Sequence, residues 1–141
     1  MWNMDPIAEI RARFKKHPNA RCQAGTDWIR YEPDSENGFP VELRVGDGEF
    51  IVSYDGWHKH FQEVESALDC FAFGLSDMCR LKIVSRGGQP HKWILEFRRN
   101  GDWAAESRVG LFVFAFWRPP EIEYRQNALI KAIEADRTPQ P

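Results

Sequence analysis

Apolar and polar positions alternate with a period of two along most of this chain and switch to helical spacing at three places. The first is near the start, where Ile7, Ile10 and Phe14 fall at i, i+3 and i+7, one stripe of a helix. Asp5 stands where a side chain caps the free N–H groups. Pro6 takes the first helical position, where a missing N–H costs nothing. His17-Pro18 ends the helix, because the residue before a proline avoids the helical region. Residues 18–27 read as loop, and Trp28 to Tyr31 as a short strand.

Phe39, Val41, Leu43 and Val45 then alternate with Pro40, Glu42 and Arg44. Gly46-Asp47-Gly48 turns the chain, and Phe50, Val52 and Tyr54 alternate on the way back, which predicts a hairpin. Asp55-Gly56-Trp57-His58-Lys59-His60 reads as a loop leading into a central helix over about 61–75, carried by Phe61, Val64, Leu68, Phe71, Ala72 and Leu75. Strands resume with Leu81, Ile83 and Ser85, and again with Trp93, Leu95 and Phe97. Asn100-Gly101 tolerates the positive φ angles of a type I′ turn and predicts a second hairpin, returning from Trp103 to about Val109. Leu111 to Trp117 is apolar on both faces. Pro119-Pro120 stops it, Ile122 and Tyr124 suggest a last short strand, and Leu129, Ile130 and Ile133 place a short C-terminal helix over Asn127 to Ala135.

The strands cluster instead of alternating with helices. The expectation is therefore a single α+β domain over residues 1–136, with a polar tail at 137–141. Its frame is a mostly antiparallel sheet of about five to six strands, packed with an N-terminal, a central and a short C-terminal helix.

Composition narrows the function classes. The 141 residues are 43% hydrophobic and 28% charged, which is globular composition. Lys plus Arg is 19 and Asp plus Glu is 21, a net charge of −2, which argues against a dedicated nucleic-acid binder. The first ten residues lack the basic start and apolar run of a secretory signal, and no segment has the length of a membrane span. Cys22, Cys70 and Cys79 are odd in number and form no CxxC, so free thiols in the cytoplasm are expected. Phosphate-binding glycine loops, the GxSxG elbow, HExxH and paired CxxC elements are all missing. No cofactor and no catalytic residue is assigned.

Three groups of residues invite chemistry. His58 and His60 sit two apart, so an extended backbone would aim both imidazoles to one side. With Asp55 or Glu63, and with Trp57 beside them, they would make a ligand or His/His/carboxylate metal site. The simpler reading, which the spacing favours, is a solvated junction in which Gly56 turns the chain and Trp57 plugs the core. Cys70 lies beside the apolar stripe of the central helix and reads as a small core residue. The basic residues Arg80, Lys82, Arg86, Lys92, Arg98 and Arg99 are interleaved with Glu96 and Glu106, which suits cross-strand ion pairing.

The aromatic load is 13% and concentrates near Gly110 to Trp117. Phe112, Phe114 and Phe116 share one face of that segment. Together with Trp117 and Arg118 they suggest either a strand buried on both sides or a contact surface for a partner protein or a second copy. The reading that follows is a non-enzymatic interaction protein, self-associating through an aromatic-rich sheet, with no nucleic-acid or membrane partner. The alternative is a small-molecule or metal-binding domain, enzymatic or not, using the Asp55–His60 segment.

Overall fold

The computed structural model describes residues 5–110 and 117–131. The chain begins as read. Helix α1 spans Pro6–Arg13, and the Asp5 carboxylate caps it by accepting from the backbone N–H groups of Ile7 and Ala8. A 3-10 turn, Phe14–Lys16, follows and stops before Pro18. Five strands come next: β1 Arg21–Ala24, β2 Trp28–Glu32, β3 Val41–Gly46, β4 Glu49–Tyr54 and β5 Trp57–Phe61. They form one antiparallel sheet in chain order. Helix α2, Val64–Leu75, separates them from β6 Cys79–Arg86, β7 Gln89–Arg99, β8 Asp102–Gly110 and β9 Glu121–Arg125, which form a second antiparallel sheet in the order β8-β7-β6-β9.

The fold class, α+β with antiparallel pairing, stands, and four details change. The single sheet of five to six strands is two sheets, of five and four strands. Two segments whose local pattern predicts loops supply the extra pairing. Within 18–27, β1 pairs with β2 along Arg21↔Glu32 to Ala24↔Ile29, and β5 pairs with β4 along Tyr54↔Trp57 to Phe50↔Phe61. The central helix starts at Val64 and not near 61, because Phe61 is still held by the β4 ladder and Glu63 is extended at φ −110°, ψ 133°. The C-terminal helix is not formed over the described part of its range. There the Ile130 N–H donates to the Leu75 carbonyl at 3.1 Å, its carbonyl accepts from the Asp77 N–H at 3.0 Å, and it bridges Ser76 in parallel. Those bonds give the exit of α2 a partner for its last-turn carbonyl. Residues 132–135 of the expected helix lie outside the described residues.

The turns follow their chemistry. Asp47-Gly48 (φ 51° and 76°) and Asn100-Gly101 (φ 52° and 85°) take the paired positive φ of type I′ turns.

The core sits between the sheets and the helices. Three strands stack Ile29, Leu43 and Val52 in one row, and four stack Tyr31, Val41, Tyr54 and Trp57 in the next. Ala67, Leu68, Phe71 and Leu75 of α2 cover these rows, with Ile7 and Ile10 of α1 beside them. The second sheet adds Cys79, Leu81, Ile83, Trp93 and Leu95 to the same cluster. Each large side chain buried this way contributes about 1.5–3 kcal/mol of transfer free energy.

Two tryptophans tie the sheets together reciprocally. Trp57 of β5 donates its indole N–H to Ser107 Oγ of β8 at 2.8 Å, and Trp93 of β7 donates to Asp55 Oδ2 of the β4–β5 turn at 2.9 Å.

Candidate functional site

The Asp55–His60 segment is a β-hairpin, which decides where its side chains go. Alternation along β5 sends Trp57, Lys59 and Phe61 to one side and His58 and His60 to the other. Trp57 is buried at 2% exposure, stacked on Tyr54 with ring centroids 4.6 Å apart. Asp55 takes positive φ (56°) and spends a carboxylate oxygen on the Trp93 indole. Glu63 stands at the N-terminal boundary of α2 without a capping side-chain bond.

His58 and His60 do share a face, with ring centroids 6.0 Å apart, and both are exposed. The carboxylate beside them is neither Asp55 nor Glu63 but Glu49 of β4, whose Oε2 lies 2.9 Å from His60 Nδ1. Phe50 pairs with Phe61 and Ile51 with His60, so Glu49 comes close only through the β4–β5 register. Sequence spacing carries no signal for that. Among the described residues, no group of three or more His, Cys, Asp or Glu side chains is placed to hold a metal ion.

On the opposite face of β5 lies a cavity of about 170 Å³ between β5, α2 and the second sheet. Trp57, Phe73 and Leu95 give it apolar walls, and Lys59, Glu106 and Cys70 supply its polar groups. Burial pushes the Cys70 thiol up to about 11 and the buried Cys79 thiol higher still. Tyr54, whose hydroxyl donates to the Cys70 carbonyl, is also raised by burial. All three groups are neutral at physiological pH, and a protonated thiol is a poor nucleophile.

A labelling prediction follows. At pH 8 the Cys70 thiol lies three pH units below its pKa of about 11 and is only about 0.1% thiolate. Iodoacetamide is therefore expected to leave Cys70 and Cys79 unmodified in the native protein and to modify both in urea, read by intact mass. The fold favours the neutral thiol, so its contribution to stability is full below pH 9 and declines as pH rises from 9 towards 11.

The second sheet presents a different surface. On its outer face, Arg80 forms an ion pair with Glu96 at 2.6 Å while its guanidinium lies 4.5 Å from the Trp103 ring centroid and 4.0 Å from that of Tyr124. The Arg98 guanidinium also lies over the Trp103 ring, 5.0 Å from its centroid. The face expected to be charged is thus also apolar, carrying Val84, Ile94, Ile122 and Tyr124 among its cations. Trp117 is exposed, and the carbonyl of Arg118 accepts a hydrogen bond from the Arg86 guanidinium. Phe112, Phe114 and Phe116 lie outside the described residues. Ile122 and Tyr124 were legible as a strand, but their exposure depends on β9 pairing with β6 at the sheet edge, which local pattern does not reveal.

No protein-family model, no curated protein and no solved structure matches this chain. No helix among the described residues is long and apolar enough to cross a membrane.

Proposed function

We propose that this protein is a non-enzymatic binding domain that forms a homodimer through β9 and the apolar residues beside it. One observation carries the reading. Trp117, Ile122 and Tyr124 are 65%, 52% and 47% exposed, two of them in β9 and the third just before it in the chain. Single exposed hydrophobic residues are ordinary; a group of them along an edge strand is not, because an unpaired edge is a template for another strand. Among the described residues β9 pairs with β6 alone.

A second copy fits the strand's own charges. Antiparallel pairing of β9 about Tyr124 sets Glu123 opposite Arg125 of the second copy, whereas pairing about Glu123 would set two carboxylates face to face. The first register satisfies a two-fold axis that sets Tyr124 opposite Tyr124 of the second copy, with Ile122 on the same side of the pair. The three free cysteines, each with its pKa raised by burial, accord with a binding role in a reducing compartment such as the cytoplasm.

The register is testable by cross-linking. Residues directly opposite across an antiparallel pair lie about 4.5–5.5 Å apart, within reach of a disulfide. Tyr124→Cys in a Cys22→Ser background is expected to give a disulfide-linked dimer on mild oxidation, and Glu121→Cys to give little. Equal yields from the two variants, or none from Tyr124→Cys, would refute the pairing.

A second reading keeps the cavity of about 170 Å³ behind Trp57 as a small-molecule site. His58 and His60 face away from it, so their joint replacement by Ala leaves that cavity intact. Ligand binding that survives His58→Ala/His60→Ala but fails in Trp57→Ala would favour it.

A further inference from the structure

A second and larger cavity, of about 250 Å³, lies on the far side of α2 from that cavity's β5 wall. Two helical faces with the same i, i+3, i+4, i+7 spacing meet across it: positions 10, 13, 14 and 17 from α1 and the turn after it, and positions 68, 71, 72 and 75 from α2. Phe14 lines it, edge-on to Phe71 at 6.4 Å and stacked on Tyr31 at 6.1 Å. Ile130 closes the third wall, held there by its bonds to Leu75 and Asp77.

The polar side chains that line this cleft are Arg13, Lys16 and His17, and among the described residues no carboxylate joins them in the lining. Arg13 shares its charge with Glu9 at 3.3 Å. Lys16 is exposed, and His17 stands beside it at the end of the 3-10 turn. Basic residues suit a helix C-terminus in any case. Here the same residues also rim an apolar cleft, leaving it with a greasy interior and a cationic mouth.

We propose that this cleft binds an aliphatic carboxylate, a free fatty acid whose chain lies against Phe14, Phe71 and Leu75 and whose head group meets Lys16, His17 and Arg13. At about 30 Å³ for each water-sized unit, 250 Å³ holds a chain of roughly eight carbons. The cationic rim selects against amines and favours a carboxylate over a neutral alcohol of the same length, so octanol should bind more weakly than octanoate.

Calorimetric titration of the 141-residue chain tests the assignment, with hexanoate, octanoate, octylamine and octanol as ligands. Octanoate is expected to bind, and each methylene added from hexanoate upward to tighten binding about fourfold until the cleft is full. Octylamine should bind at least about tenfold more weakly, since its ammonium meets like charge. Lys16→Glu should weaken octanoate about tenfold or more with little change in melting temperature. Ala72→Trp, which fills the cleft, should abolish binding; if it unfolds the protein, Ala72→Leu gives the same readout with a smaller insertion. Octylamine binding as tightly as octanoate, indifference to Lys16→Glu, or no heat from octanoate at millimolar concentration would each overturn the proposal. So would an acidic amphipathic peptide binding where octanoate does not.

Discussion

Asn127→Asp is expected to destabilise the protein by more than 3 kcal/mol at pH 8, and by much less at pH 3, two values separated by the ordinary carboxyl pKa of about 4. Asn127 is 3% exposed and joins three parts of the chain. Its amide donates to the carbonyls of Phe39 and Gly74, each at 2.9 Å, and its oxygen accepts from the Phe39 N–H at 3.1 Å. Gly38 is bare at this point because a Cβ there would meet both the Asn127 oxygen and Pro33. A carboxylate in this place faces two carbonyl oxygens with nothing to donate. Each buried group left unpaired costs about 1–3 kcal/mol, and a buried charge adds more.

The fold would favour the protonated acid, so the introduced carboxyl would have a folded-state pKa above its unfolded value. Stability would then be greatest below about pH 4 and fall as pH rises towards the folded pKa. Urea denaturation at pH 3, 5 and 8 reads this directly. A penalty that does not change with pH would mean that water or rearrangement satisfies the site. Asn127→Ala, which carries no charge, should show the hydrogen-bond cost without the pH dependence.

The second large effect is expected at Trp93. Its ring lies flat where a side chain on Gly56 would be, and its indole N–H is held by Asp55. Trp93→Ala should cost about 3–5 kcal/mol, the usual range for removing a large buried aromatic. Trp93→Phe keeps the ring volume in part and removes the hydrogen bond, so a smaller loss is expected. Gly56→Ala forces the ring away and should cost about 1–3 kcal/mol. In the Trp93→Ala background the added methyl has room, so the two costs should not add. A double-mutant cycle by urea denaturation measures the coupling. Strict additivity would contradict the close contact between the turn of one sheet and the ring of the other.

Both positions show where sequence reading stops. The helix start at Asp5-Pro6, the turns at Asp47-Gly48 and Asn100-Gly101 and the alternation of β3, β4 and β7 depend on neighbours in the chain, and they were legible. β5 was not, because Trp57-His58-Lys59-His60-Phe61 carries one buried side chain in five and has no apolar alternation of its own. Its pairing with β4 makes it a strand. α2 separates β5 from β6 in the chain, and the strands after it pair among themselves in a second sheet. The Asn127 to Ile130 segment has helical spacing, yet buried hydrogen bonds to Phe39 and Gly74 and pairing beside Ser76 outweigh that local preference.

The candidate sites divide in the same way. That His58 and His60 share a side followed from their spacing. That Glu49 stands beside them, or that Lys59 faces a cavity with Glu106, follows only from register and sheet packing. At the proposed interface, Ile122 and Tyr124 alternate as a strand should. Their outward direction is set by Lys82 and Val84 opposite them on β6, forty residues away by order of magnitude.

Sedimentation equilibrium of the unmodified 141-residue chain, across low to high micromolar concentrations, tests the proposed self-association most directly. The expected result is a species of twice the chain mass that reverts to the single-chain mass when Ile122→Lys is introduced, with the melting temperature little changed. A single-chain mass at every concentration, or a dimer indifferent to Ile122→Lys, would contradict it.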